Sequence, residues 1–133
     1  MPKILLIDDD HSNLNLLFAI LHTHDPQYDI LKVNDPEVAL KNMGRWMPDL
    51  VITDWNMPKI TGLELIQKTK KISGLENIPF IMVTGVMTKT ANQKEALNEG
   101  AVYFMHKPID AKELKEQVQM MLNLANEYDK MGF

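Results

Sequence analysis

The chain has 133 residues, 45% of them hydrophobic and 24% charged, and a formal net charge of −4. This length predicts one domain with its own core, and the acidity, without any basic run, argues against nucleic acid or an anionic membrane as the main partner. The absence of cysteine excludes disulfides, thiolate metal sites and thiol nucleophiles. No apolar stretch suits a membrane span or a signal peptide, so we expect a cytoplasmic protein.

Five short apolar runs, rich in β-branched residues, predict strands. The first, Lys3–Ile7, has the uninterrupted aliphatic character of a strand that is buried on both faces. The predicted strands are Lys3–Ile7, 28–33, 50–53, 79–84 and Val102–His106.

Helical spacing of apolar residues fills each interval after a strand. The first helix is predicted to begin at Ser12 or Asn13 and to end before a loop over 22–26. The second begins at Pro36, the third covers the region after Gly62, and the fourth covers 88–99. Apolar residues expected to face the core in the second, fourth and fifth helices are Val38, Leu40, Met43, Ala91, Ala96, Leu97, Leu114, Val118, Met121, Leu122 and Ala125.

The alternation of strand and helix, repeated five times, predicts the fold class. Short apolar strands that alternate with helices form a parallel sheet covered on both faces. We therefore predict a doubly wound five-stranded parallel α/β sheet, (βα)5 and flavodoxin-like, as a single domain over 1–126 with a C-terminal tail over 127–133. Right-handed crossovers bring the C-terminal ends of all five strands to one edge of such a sheet.

Five chemically useful side chains come at or just after predicted strand ends: Asp8, Asp9, Asp54, Thr84 and Lys107. Each has an ordinary explanation alone, such as a turn for Asp54, but four separate strands deliver them to one edge. Three neighbouring carboxylates repel one another, so one must be protonated or a cation must neutralise them. Oxygen ligands without cysteine favour Mg²⁺, and Asp54 is then a candidate nucleophile toward a phosphoryl group.

Four motifs carry a resemblance to a known family: ILLIDDD, DLVITDWNMPKITG, IMVTG and FMHKP. In this order and spacing they resemble the receiver domain of two-component response regulators, a CheY-like fold. The resemblance extends from Lys3 to about Leu124. It implies that Asp54 is the phospho-acceptor, that Asp9 binds Mg²⁺ directly with Asp8 acting largely through water, and that Asn56 offers its backbone carbonyl to the metal.

The same resemblance implies a switch at the other end of the site. Thr84 would bond the phosphoryl group in the active state, and Lys107 would pair with a phosphoryl oxygen. Phe104 stands where a switch tyrosine is frequent and has no hydroxyl, and Val86 stands where some members carry an acid or an amide. The Lys107–Pro108 bond is usually cis in the family. Asp10 has no assigned role, and we expect His11 to be a solvated loop residue because Mg²⁺ prefers oxygen ligands.

The resemblance also implies partners. A histidine kinase or a histidine phosphotransfer protein would donate the phosphoryl group, and a face made by helix 4, strand 5 and helix 5 would bind a downstream protein. We expect a monomer or a phosphorylation-dependent dimer, with enzyme activity only in the sense that the domain catalyses its own phosphorylation and dephosphorylation. No output domain follows the fifth predicted helix, so the protein acts through protein contacts or is a piece of a longer regulator.

Three other interpretations remain. A pseudo-receiver would signal without phosphorylation, although the complete set of acidic, hydroxyl and ammonium groups argues against it. A haloacid-dehalogenase-type phosphatase would use Asp8 and Asp10 but would leave the motif around Asp54 unexplained. A flavodoxin would need a phosphate-binding first loop, and the acidic loop over 8–13 would repel a flavin phosphate.

Overall fold

The computed structural model describes residues 1–86, 88–100 and 102–130, with the side chains of 124–130 outside the description. Strands and helices alternate throughout, as the sequence predicted. The strands are β1 (Lys3–Ile7), β2 (Asp29–Val33), β3 (Leu50–Asp54), β4 (Phe80–Thr84) and β5 (Val102–His106). The helices are α1 (His11–His24), α2 (Pro36–Trp46), α3 (Gly62–Lys70), α4 (Ala91–Asn98) and α5 (Ala111–Lys130).

The five strands form one parallel sheet in the order β2-β1-β3-β4-β5, which confirms the predicted fold class. The order reverses direction between β1 and β3, the point at which open α/β sheets bind ligands beyond their strand ends. β1 and β3 are neighbours in register, with Ile7 opposite Thr53. The residues that follow β1 and end β3 therefore meet at the centre of the C-terminal edge.

Successive residues of each strand point to opposite faces of the sheet, and each face has its own apolar layer. On β1, Ile4 and Leu6 belong to the layer shared with α1 and α5, and Leu5 and Ile7 to the layer shared with α2, α3 and α4. Helix residues of the first layer are Leu14, Leu17, Leu21, Leu114, Val118 and Met121. Those of the second are Ala39, Met43, Leu65, Ile66 and Ala96. The sheet is thus covered on both faces, which holds its strand ends in fixed positions.

The structure corrects the predicted start of α1. The helix begins at His11 because the carboxylate of Asp10 accepts a hydrogen bond from the main-chain N–H of Ser12 at 2.8 Å and so caps it. The helix also continues through His22 to His24, where a loop was predicted. The predicted buried face of α2 was partly wrong as well: Val38 is 46% exposed, and its neighbour Ala39 faces the core instead.

The structure also corrects α4, which begins at Ala91 rather than at Thr88 because the hydroxyl of Thr90 caps it. Ala91 is exposed, and the buried positions of this helix are Gln93 and Ala96. The described part of α5 runs to Lys130, so the tail predicted over 127–133 overlaps a helix, and residues 131–133 lie outside the described residues. Ala125, predicted to face the core, belongs to the stretch whose side chains are outside the description.

Within the ranges that the structure covers, none of the helices combines the length and the apolar character required to cross a membrane.

Candidate functional site

Three carboxylates meet at the C-terminal edge of the two central strands. Asp8 follows β1 directly, Asp9 is the next residue, and Asp54 is the last residue of β3. One oxygen from each carboxylate lies within 4.8 Å of the others. Asp8 and Asp54 are buried, whereas Asp9 is exposed and marks the open side of the group. The predicted acidic cluster is therefore assembled in the structure.

The environment of Asp8 opposes its negative charge. Burial is the largest cause and raises the pKa of the Asp8 carboxyl above its usual value, and the nearby charge of Asp54 raises it further. The main-chain N–H of Asp10 donates to Asp8 Oδ1 at 2.9 Å, and this hydrogen bond opposes the rise, as do the charge of Lys107 and the side chain of Asn13. A bound cation would relieve the repulsion between the two carboxylates.

Both oxygens of Asp54 have a hydrogen-bond donor. The main-chain N–H of Asn56 donates to Oδ1 at 3.1 Å, and the ammonium of Lys107 donates to Oδ2 at 3.2 Å. The Asp54 side chain is 9% exposed and that of Lys107 is 37% exposed, so the pair lies at the boundary between interior and solvent. A carboxylate held in this way is fixed in direction and accessible from one side.

Thr84 ends β4 next to this pair. Its main-chain carbonyl accepts from the main-chain N–H of Lys107 at 2.8 Å, so the residue with the hydroxyl and the residue with the ammonium are fixed to each other. The Thr84 hydroxyl is buried and accepts from the N–H of Val86 at 3.1 Å. The Lys107–Pro108 peptide bond that follows β5 is cis.

Phe104 is buried in the layer between the sheet and α4. Its ring meets the Trp55 ring edge to face, with 5.2 Å between centroids. Trp55 follows Asp54 in the chain and is itself buried. Phe104, which the family resemblance assigned to a switch, therefore contacts the residue that follows the candidate nucleophile in the chain. Its ring points inward in this conformation.

The donor set fits a hard divalent cation. The three ligand candidates offer carboxylate oxygens only, they lie close enough to share one ion, and one of them faces solvent. Asn56 is exposed in the loop after β3, and the use of its carbonyl oxygen as a ligand stays a prediction. A divalent cation held by Asp8, Asp9 and Asp54 would supply positive charge beside the Asp54–Lys107 pair.

Comparison with known proteins agrees with this geometry. The family model described as the response regulator receiver domain matches residues 4–119. This chain belongs to that family. Receiver domains of two-component response regulators take part in phosphorylation-based signalling.

Individual relatives give the same picture of the receiver domain. This chain is 30% identical over 128 residues to the chemotaxis protein CheY of Pseudomonas aeruginosa, a match that covers 93% of this chain and 98% of CheY. It is 30% identical over 126 residues to the phosphate regulon transcriptional regulatory protein PhoB of Rhizobium meliloti, covering 94% of this chain. A CheY-like receiver domain protein of Methanospirillum hungatei superposes with a TM-score of 0.85 at 26% identity, covering 96% of this chain and 98% of the other.

Some relatives of the receiver domain are much longer than this chain. This chain spans 54% of the length of PhoB and 8% of the length of the histidine kinase P4 of Formosa agariphila. In such proteins the similarity is to one part of a larger chain.

Two neighbours of the site were not singled out from the sequence. Asn13, in the first turn of α1, lies near the Asp8 carboxyl and lowers its pKa slightly, a relation that no helical spacing in the sequence could have indicated because Asp8 precedes the helix. A cavity of about 190 Å³ lies beside the site, between α1 and the loop after β5. His11 is exposed, as expected, but it is the first residue of α1 and not a loop residue, and its Nε2 is 3.2 Å from Asn34 Nδ2.

Proposed function

We propose that this receiver domain accepts a phosphoryl group from a phosphohistidine onto Asp54, with Mg²⁺ held by Asp8, Asp9, Asp54 and the carbonyl of Asn56. The observation that carries the proposal is the position of the Asp54 carboxylate. It is bonded to the Lys107 ammonium at 3.2 Å and lies beside two further carboxylates, of which Asp9 is exposed to solvent.

The proposed reaction is an in-line displacement. An Asp54 carboxylate oxygen forms a bond to phosphorus, the phosphorus–nitrogen bond of the phosphohistidine breaks, and the bonding electrons leave with the donor imidazole, which is then free to take up a proton. Phosphoryl transfer depends chiefly on positioning and on neutralising charge. Lys107 can pair with a phosphoryl oxygen, because its ammonium already contacts Asp54 Oδ2. A bound Mg²⁺ would neutralise the remaining charge of the phosphoryl group and of the acids.

The proposed output is a change at the face formed by α4, β5 and α5, which would bind a downstream protein. Thr84 would move its hydroxyl toward the phosphoryl group, and Phe104 would change its position in response. Two observations support this route: the Thr84 carbonyl is bonded to the N–H of Lys107, and Phe104 packs on Trp55 next to the acceptor. The phosphoryl donor would be a histidine kinase or a histidine phosphotransfer protein.

The experiment that tests the proposal is intact-mass measurement after incubation with acetyl phosphate and Mg²⁺. We expect wild type to gain one labile phosphoryl mass and Asp54→Asn to gain none. Asp10→Asn is the matched control, because it removes one acidic charge from the same edge while leaving Asp54 in place, and it should still gain the phosphoryl mass.

Rapid hydrolysis would hide the adduct, so beryllofluoride binding is measured in parallel. Binding by wild type but not by Asp54→Asn supports the proposal even when no mass gain is detected. Absence of both the mass gain and the binding in a folded wild type would contradict it. The domain would then be a pseudo-receiver that signals without phosphorylation.

A further inference from the structure

Two buried polar atoms, one on α4 and one at the end of β5, have no hydrogen-bond partner. Among the side chains that the structure describes, Gln93 Nε2 and His106 Nδ1 are the buried nitrogen or oxygen atoms that lack a hydrogen bond. Buried polar atoms are normally bonded, and leaving them unbonded is costly. A native pair of this kind points to a second conformation in which the atoms find partners.

The orientation of the Gln93 amide is fixed by the helix cap. Its oxygen accepts from the main-chain N–H of Thr90 at 3.2 Å, and its own main-chain N–H donates to the Thr90 hydroxyl at 3.2 Å. The oxygen end of the amide therefore belongs to the cap. The Nε2 end carries two hydrogens into the interior with no acceptor, on a residue that is 0% exposed.

His106 lies on the α4 side of the sheet. Residues alternate along β5, and Val102 and Phe104 belong to the apolar layer that contains Ala96 of α4. Tyr103 and Met105 belong to the opposite layer. His106 therefore shares the face of Phe104. It is also the last residue of β5 and is paired with Thr84 of β4.

The two atoms are chemically complementary. An amide nitrogen donates, and the unprotonated nitrogen of a neutral imidazole accepts. Both residues also lie at the same end of the sheet, because β5 ends at His106 at the C-terminal edge and α4 starts from that edge, with Gln93 in its first turn. α4 packs against β5. A shift of α4 relative to β5 is the movement that would bring the two atoms within hydrogen-bond distance.

We propose that Gln93 and His106 form a hydrogen bond in the phosphorylated state, from Nε2–H of Gln93 to Nδ1 of His106. Both are positioning residues for the switch. The inference rests on the proposed function, because phosphorylation of Asp54 would favour the state in which α4 has moved. Thr84 connects the two events, since it faces the phosphoryl site and is paired with His106 across the sheet. The bond would hold α4 in its activated position.

The test compares beryllofluoride affinity in the presence of Mg²⁺ for wild type, Gln93→Met, His106→Leu and the double variant. All measurements are made at the same mildly alkaline pH. We expect each single change to weaken binding by about tenfold, the size of one net hydrogen bond, and the double change to weaken it no further. His106→Asn keeps an acceptor oxygen near the position of Nδ1 and should retain most of the affinity.

Nitrogen-15 chemical shifts of His106 provide a readout that a purely structural role would not produce. Nδ1 should change its shift when wild type binds beryllofluoride and should not change in Gln93→Met. The resting proteins are compared by urea unfolding. We expect His106→Leu to be at least as stable as wild type, because Nδ1 has no partner there. Gln93→Met should lose no more than the capping bond that the Gln93 amide oxygen makes with the N–H of Thr90.

The possible outcomes distinguish this inference from the proposed function on which it rests. Phosphoryl uptake at Asp54 with unchanged affinities, or with additive losses in the double variant, would overturn the Gln93–His106 bond alone. A large loss of resting stability in His106→Leu would also overturn it, because Nδ1 would then have a partner before activation. Failure of wild type to take up phosphoryl or beryllofluoride would overturn both.

Discussion

Helices α3 and α4 begin with the same device and are held very differently. In each, a threonine hydroxyl accepts from the main-chain N–H three residues later, and the side chain of that later residue accepts from the N–H of the threonine. The pairs are Thr61 with Glu64 in α3 and Thr90 with Gln93 in α4. These capping boxes fix the residue at which each helix starts.

The inner faces of the two helices differ. α3 buries five of its nine residues, and its one buried hydroxyl, on Thr69, donates to the Leu65 carbonyl at 2.7 Å. α4 buries two of eight, Ala96 and Gln93, and the second has an unbonded amide nitrogen. The comparison teaches that a cap decides where a helix begins, whereas the buried apolar surface decides how firmly it is held.

The largest expected effect comes from removing apolar surface from α3. Leu65→Ala should lower the free energy of unfolding by about 2–5 kcal/mol, because Leu65 is fully buried and its loss leaves a cavity. Leu97→Ala, in the partly buried flank of α4, should cost about 1 kcal/mol or less. Urea unfolding followed by circular dichroism measures both. Equal losses would mean that α4 is held as firmly as α3.

The next effect comes from crowding the start of α3. A Cβ added at Gly62 would overlap the Trp55 ring, whereas a Cβ at Gly85, in the loop toward α4, would meet nothing within 4 Å. Gly62→Ala should therefore destabilise the protein by about 1–3 kcal/mol through overpacking. Gly85→Ala should leave stability nearly unchanged.

Thermal unfolding measures both glycine variants. Trp55 fluorescence should also change in Gly62→Ala, since the ring that packs on Phe104 must move. A stable Gly62→Ala protein with unaltered emission would contradict this expectation, because the added methyl group would then be accommodated without movement of the Trp55 ring.

Removing the caps tests the two helices directly. Thr61→Ala should lower the free energy of unfolding by about 1 kcal/mol, since α3 opens only with the whole domain. Thr90→Ala removes the same hydroxyl from a helix with little buried apolar surface. Its main effect should be faster amide hydrogen exchange in the first turn of α4, with a smaller loss of global stability. If Thr61→Ala raised the exchange rates of α3 as much as Thr90→Ala raises those of α4, the expected difference between the two helices would be contradicted.

The smallest effect concerns an ion pair that only the approach to α3 possesses. The Lys59 ammonium is 2.7 Å from the Asp35 carboxylate, which caps α2, and no ion pair is found in the described part of the loop before α4, over 85–86 and 88–90. The hydrogen bond from Lys59 and then the N–H of Glu37 lower the pKa of Asp35. This stabilisation is present above the unfolded pKa of Asp35 and is lost as the pH falls through the lowered folded value.

Carboxyl-carbon NMR titration measures the effect. In Lys59→Met the pKa of Asp35 should rise while remaining below its usual value, because the backbone donor stays. Lys112→Met removes a lysine from an exposed pair in α5 and should leave the Asp35 curve unchanged. An Asp35 pKa that is the same in Lys59→Met and wild type would show that the ammonium contributes nothing to it.

The strands and the meeting of their ends were predictable because both follow from local patterns and one topological rule. Uninterrupted apolar runs are typical of buried parallel strands, and right-handed crossovers bring Asp8, Asp54 and Lys107 to one edge. The acidic cluster itself was therefore expected. Its internal arrangement was not, because the contact of Lys107 with Asp54 Oδ2 depends on distances that no spacing encodes.

The helix boundaries and faces were predicted less well, for two physical reasons. Asp10 and Thr90 each compete with neighbouring polar residues for the capping position, and the hydrogen bond that forms decides the start. Periodicity also assigns a face only to apolar residues. Gln93 was therefore missed at a buried position, and Val38 was wrongly placed in the core.

The order of the strands also bears on how the site comes into being during folding. The carboxylates come from β1 and β3, which are adjacent in the middle of the sheet, while Lys107 follows β5, an edge strand paired with β4 alone. Edge elements open more readily than central ones. A partly folded chain with β5 detached would keep its cluster of acids and lack its ammonium group, so the acidic half of the site would form before Lys107 is in place to pair with Asp54.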